Sequence, residues 1–239
     1  MDPLDDGEDV PQLPADTLKL LDEFATEKNA AANKFKDLKL QSEGDYAGRL
    51  SMEAFRASQF WYTDKTARTL AEQLLHGAST ETSIAVVSAP SVYLALRNIL
   101  RDEPVTARPM VKLLEYDRRF EVFGADFVYY DLEHPLRLPA ELKSQFDRII
   151  CDPPFLSEDC QTKTALTVRY LAKSWVAVHD TFDGLRLISC TGERVGEIIG
   201  RLYGKIGVKT TTFEPEHSKG LSNEFRCYAN FECPAWAWR

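Results

Sequence analysis

The chain has 239 residues, 44% of them hydrophobic and 28% charged, with a formal net charge of −8. That length suits one sizeable α/β domain with an appendage and leaves little room for two, and no apolar run reaches the roughly 18 residues of a membrane span. The acidic balance argues against a nucleic-acid partner, which calls for a basic stripe, and favours a basic protein partner through long-range steering.

Five cysteines, at positions 151, 160, 190, 227 and 233, form no C-x-x-C pair. Free thiols are therefore expected rather than a disulfide framework or a zinc site, and no metal is predicted. The N-terminal stretch has neither a basic nor an apolar signal region, which predicts a cytoplasmic protein.

In chain order, residues 1–15 are rich in acid and proline and read as a disordered leader. Asp16 can cap a helix to about residue 40, because Leu18, Leu21, Phe24, Ala25, Phe35 and Leu38 recur at spacings of three and four. With the polar linker at 41–48 this makes a helical extension over 16–50, and residues 51–239 form the main domain. Ser58-Gln59-Phe60-Trp61-Tyr62 sets three aromatics in a row, which cannot share one face, so at least one points away from the local core. Thr63 caps a helix through Leu75 that Gly77 ends.

Residues 84–87 read as the first central strand, followed by Ser88-Ala89-Pro90-Ser91 and a helix from Val92 to about Leu100 with Ser91 as its N-cap. Strands follow at 111–115, at 125–130 closing on Asp131, and at 146–151. Ser157 caps a helix to about Lys173 whose first turn is acidic. A fifth strand covers 184–190, with its helix over 192–203. Residues 208–213 and 225–231 lie too close in sequence for a helical crossover and are expected to pair antiparallel. Alternating strands and helices ending in such a pair predict an α/β fold, a seven-stranded, mostly parallel, doubly wound sheet. The final connection, 214–224, then lies at the same sheet edge as the end of strand four. His217 within it reads as a solvent-exposed loop histidine, or else as a proton acceptor.

Asp152-Pro153-Pro154-Phe155 closes the fourth strand, at the edge where open α/β sheets bind ligands. Two prolines remove two N–H donors and fix φ twice, which holds the carbonyls of Asp152 and Pro153 outward. A carboxylate, a fixed carbonyl and an aromatic face then meet in one small volume. The set suits a primary amine, since the oxygens accept its N–H bonds and leave its lone pair free, while the ring packs on whatever carries it. Taken alone, the four residues also read as a proline turn that merely ends a strand.

Together with Gln59-Phe60-Trp61-Tyr62, Glu115-Tyr116-Asp117-Arg118-Arg119-Phe120 and Asn223-Glu224-Phe225-Arg226-Cys227-Tyr228, this motif resembles one family. It is the eukaryotic S-adenosylmethionine-dependent methyltransferases once grouped with N6-adenine methylases and now associated with lysine methylation of translation elongation factor 1-alpha. The resemblance implies the Rossmann-like class I methyltransferase sheet with strand order 3-2-1-4-5-7-6, S-adenosyl-L-methionine as cofactor, and a monomer acting on that elongation factor. It places Asp152, Pro153, Pro154 and Phe155 in catalysis. Gln59, Phe60, Trp61 and Tyr62 are implied to lie over the cofactor. Ser88, Ala89 and Pro90 would face its methionine end, although the G-x-G common in such enzymes is absent. Glu115, with Tyr116 beside it and Asp117 as second choice, suits the ribose diol, and Asp131 the adenine amino group; Asp152 touches donor and acceptor alike. Phe155, Asn223, Glu224 and Phe225 are implied to contact the substrate. Two other readings stay open. One is an N6-adenine nucleic-acid methyltransferase, in which Phe155 stacks on an extruded base; the other is a non-catalytic binding module, which only the glycine-poor first turn supports.

Overall fold

The computed structural model describes residues 62–102, 108–176, 184–218 and 224–239. The predicted leader, the helix and linker before residue 50, and Gln59, Phe60, Trp61 and Asn223 lie outside the described residues. Helix α1 (Asp64–Leu75) opens where the Thr63 side chain accepts the Thr66 N–H, and buries Ala67, Leu70, Ala71 and Leu74 on one stripe. Gly77 follows in the left-handed region at φ 66°, a conformation that costs glycine nothing. Strand β1 (Ser83–Val87) leads into α2 (Pro90–Asp102), then β2 (Met110–Glu115), a 3-10 turn (Arg118–Asp126) and β3 (Phe127–Tyr129). After β4 (Arg148–Cys151) comes α3 (Glu158–Leu171), capped by Ser157 on the Cys160 N–H. Then follow β5 (Arg186–Gly192), α4 (Gly196–Tyr203), β6 (Lys209–Thr210) and β7 (Phe225–Ala229).

The sheet order is β3-β2-β1-β4-β5-β7-β6. The first five strands are parallel, and β7 runs antiparallel to both β5 and β6. This is the predicted seven-stranded, mostly parallel arrangement. From β1 to β2 the chain steps one way across the sheet, and from β4 to β5 it steps the other. Right-handed crossovers therefore put α2 and α3 on opposite faces. Ala85, Val87, Ile149, Cys151 and Leu187 face α3 and α4, where they pack with Val168, Leu171, Ile199 and Tyr203. Every residue of β4 and β5 is buried, and each such aliphatic side chain contributes about 1.5–3 kcal/mol.

Three local expectations change. Ser91 is not an N-cap: α2 already starts at Pro90, and Ser91 is buried within it. A proline at the first helical position loses an N–H that has no helical partner there anyway. The third strand is shorter than 125–130, because the chain stays in 3-10 turns to Asp126 with Gly124 at φ 57°. The sixth strand shrinks to two residues, after which Thr211 bridges to Trp238 and Thr212 N–H donates to the Ala237 carbonyl. The C-terminal tail thus pairs along this sheet edge and shields it.

Candidate active site

Strand order reverses between β1 and β4, and the crevice outside their carboxyl ends is where such sheets hold ligands. Asp152 sits there, its backbone N–H donating to the Val87 carbonyl at 3.1 Å. Its side chain is half-buried, and Oδ2 accepts a 2.7 Å hydrogen bond from the Tyr62 hydroxyl, 90 residues away in sequence. Among the described residues, Oδ1 takes no hydrogen bond and no cation pairs with the carboxylate. Burial pushes its pKa up to about 7, the Tyr62 hydroxyl pulls it down, and the nearby Glu115 pushes it up. Without that hydroxyl the carboxyl would be more strongly neutralised by its surroundings.

Tyr62 is itself 3% exposed, so it is a buried partner of Asp152 rather than a surface ring. It is held from behind. Tyr62 forms an antiparallel bridge with His217, and Thr63 N–H donates to the Glu216 carbonyl at 2.8 Å. The connection between β6 and β7 thus lies at the Asp152 edge, as its antiparallel geometry requires. His217 is not a solvated loop histidine: its ring packs between Tyr62 at 4.9 Å and Phe225 at 4.6 Å, and burial lowers its pKa. The sequence carried a faint signal for this, a histidine in a loop bound to return to the site edge.

At the end of β2, Glu115 is 7% exposed, and its Oε1 accepts the backbone N–H of Tyr116 at 2.9 Å and of Asp117 at 3.3 Å. Among the described residues Oε2 takes no hydrogen bond. Burial pushes this acid up to about 7, with the two N–H donors opposing. Asp117, the second choice, is committed elsewhere: it caps the 3-10 turn and pairs with the Arg119 guanidinium. Tyr116 is exposed, its ring 5.6 Å from that of Tyr129. Asp131 spends one oxygen on the Glu133 N–H and the other on His134, whose bond holds its carboxyl below the usual range.

Ser88 explains how the first turn manages without glycine. It adopts φ 54°, in the left-handed region usually left to glycine, and its N–H donates to the Leu114 carbonyl at 2.9 Å. A serine tolerates this at some cost. Ala89 and Pro90 are buried. At the other side of the crevice Phe155 is 62% exposed, its ring free of the core. Glu224 is exposed and raised by the adjacent Glu193, and Phe225 begins β7.

One residue that sequence reasoning missed is Gln161, 1% exposed on α3, whose amide donates to the Phe155 carbonyl at 3.0 Å and to Thr191 Oγ1 at 3.2 Å. Nothing in its local pattern distinguishes it from other helix residues. A surface cleft of about 610 Å3 along β3, lined by Met110, Lys112, Phe127 and Leu142, contains none of the expected site residues. Among the described residues, no group of three or more His, Cys, Asp or Glu is placed to hold a metal ion.

Residues 53–233 match the family described as probable N6-adenine methyltransferase. Protein-lysine N-methyltransferase EFM5 of Saccharomyces cerevisiae is 45% identical, across 94% of this chain and 93% of that protein. EEF1A lysine methyltransferase 1 is 38% identical in Mus musculus, over 95% of each chain, and 37% identical in Homo sapiens, over 97% of each. With a family match over most of its length and full-length relatives of this similarity, the chain belongs to this methyltransferase family.

Proposed function

We propose that the protein is an S-adenosylmethionine-dependent protein-lysine N-methyltransferase acting on translation elongation factor 1-alpha. The observation that carries this reading is the half-engaged carboxylate of Asp152, one oxygen held by Tyr62 and the other open, beside a proline-fixed loop and an exposed aromatic ring. That arrangement suits an amine on a long apolar stem. Asp152 Oδ1 and the Pro153 carbonyl accept its N–H bonds and orient it, while Phe155 packs on the methylenes. An acid lifted to about 7 is also able to take a proton from the lysine ammonium near neutral pH.

The residues present fit the cofactor. Glu115 keeps Oε2 open for a ribose diol at the end of β2, and Ser88 makes the tight left-handed turn after β1 with its N–H on the Leu114 carbonyl. S-adenosylmethionine supplies, when bound, a methyl group already activated on a sulfonium. The protein's part is positioning, exclusion of water and keeping the amine neutral.

The name of the family favours a second reading, methylation of adenine in nucleic acid. The same four residues would serve it. The net charge of −8 argues against it, because counterion release supplies much of nucleic-acid affinity, and the full-length relatives bear lysine methyltransferase names. Purified protein incubated with labelled donor and either elongation factor 1-alpha or nucleic acid decides between them. Label on a lysine of the factor is expected; label in nucleic acid alone would overturn the assignment.

A further inference from the structure

We infer that Gln161 is a positioning residue for methyl transfer, its buried carboxamide holding the backbone of Phe155 and so fixing the loop that presents the Pro153 carbonyl and the Phe155 ring to the acceptor. The inference rests on the lysine-methyltransferase reading above.

The loop needs such a fastening. Pro153 and Pro154 have no N–H to donate, and the Phe155 side chain, 62% exposed, has no core to anchor it. Gln161, in the first turn of α3, supplies an anchor: the Phe155 carbonyl accepts from its Nε2 at 3.0 Å. A carbonyl only accepts, so the amide nitrogen must face it; the orientation of the carboxamide follows from chemistry. The same nitrogen reaches Thr191 Oγ1 at 3.2 Å, and Thr191 is fully buried near the end of β5. The loop is thereby tied to the sheet and not only to its own helix.

A close approach next door reinforces the tie. A Cβ placed on Gly192 would come within 2.7 Å of Leu156 Cδ1, so Leu156 lies directly over the glycine and seats the far end of the loop on β5. A polar side chain that is 1% exposed costs free energy unless both its position and its partners are satisfied. Here one donation goes to the Phe155 loop and the other to β5, so the amide joins the two.

The test uses the full chain with Q161L, which keeps the bulk and removes the donors, and Q161E, which keeps the shape and turns a carboxylate toward a carbonyl. For both, kcat toward elongation factor 1-alpha is expected to fall about 10- to 100-fold while donor Kd, by calorimetry, stays within about twofold, the split that misplacement of an acceptor loop produces. Adding T191V to Q161L is expected to cost less than T191V alone, since the two share one nitrogen. A purely structural role would lower donor binding and stability in step with kcat. That result, or a kcat within about twofold of the native enzyme in either variant, would overturn the inference. A native protein that transfers no methyl to the factor defeats the lysine reading instead.

Discussion

Tyr62→Phe isolates one atom. It removes the hydroxyl that donates to Asp152 Oδ2 at 2.7 Å and leaves a ring of nearly the same volume in a buried slot. A hydrogen bond to a charged acceptor contributes about 1.5–3 kcal/mol, and each pKa unit corresponds to about 1.4 kcal/mol. The bond stabilises only the ionised carboxylate, so its loss moves the Asp152 pKa upward from about 7, by about 1–2 units. At about pH 7.5, the ionised fraction falls from about three quarters to between about a quarter and a few per cent. The assay is methyl transfer to elongation factor 1-alpha as kcat/KM against pH, for both enzymes. The lysine ammonium titrates identically in both, so the ratio of variant to native isolates Asp152. That ratio is expected to start low and climb toward a plateau as pH rises past about 8–9. A ratio flat across the pH range would refute the argument that Tyr62 tunes this acid.

Other outcomes follow from the same geometry. Asp152→Ala is expected to abolish turnover while calorimetry finds donor affinity nearly intact, because the carboxylate faces the acceptor; loss of donor binding would mean it faces the donor instead. Phe155→Ala removes an exposed ring, so stability in urea stays within about 0.5 kcal/mol while the acceptor KM rises; an unchanged KM would remove Phe155 from the acceptor site. Ser88→Val forces a β-branched residue into the left-handed region and should destabilise by about 1–3 kcal/mol in urea titration, whereas Ser88→Gly should not. Equal effects of the two would show that backbone strain is not what Ser88 bears.

Much of the molecule was written locally. Thr63 and Ser157 cap the helices predicted for them because capping needs only a hydroxyl and the N–H groups of the next turn. The strands were legible as short apolar runs, and the antiparallel finish followed from a connection too short for a crossover. Asp152 to Phe155 could be placed at the ligand-binding edge from chain order alone, since the carboxyl ends of parallel strands share one side of the sheet. Strand order could not be read that way; it came with the family resemblance, because periodicity shows which residues are buried and not beside which strand.

What only the tertiary structure decided are the contacts that cross the switch point. Whether a serine can replace glycine after β1 depends on the Leu114 carbonyl that receives its N–H. The exposure of His217 was misjudged because burial of a loop side chain depends on the element it returns to, here the rings of Tyr62 and Phe225. Sequence alone singled out the acid at 152 as a candidate. Its raised pKa comes first from burial and is held back by the Tyr62 hydroxyl, 90 residues upstream; a pKa is a property of the surroundings that the fold assembles rather than of the residue itself.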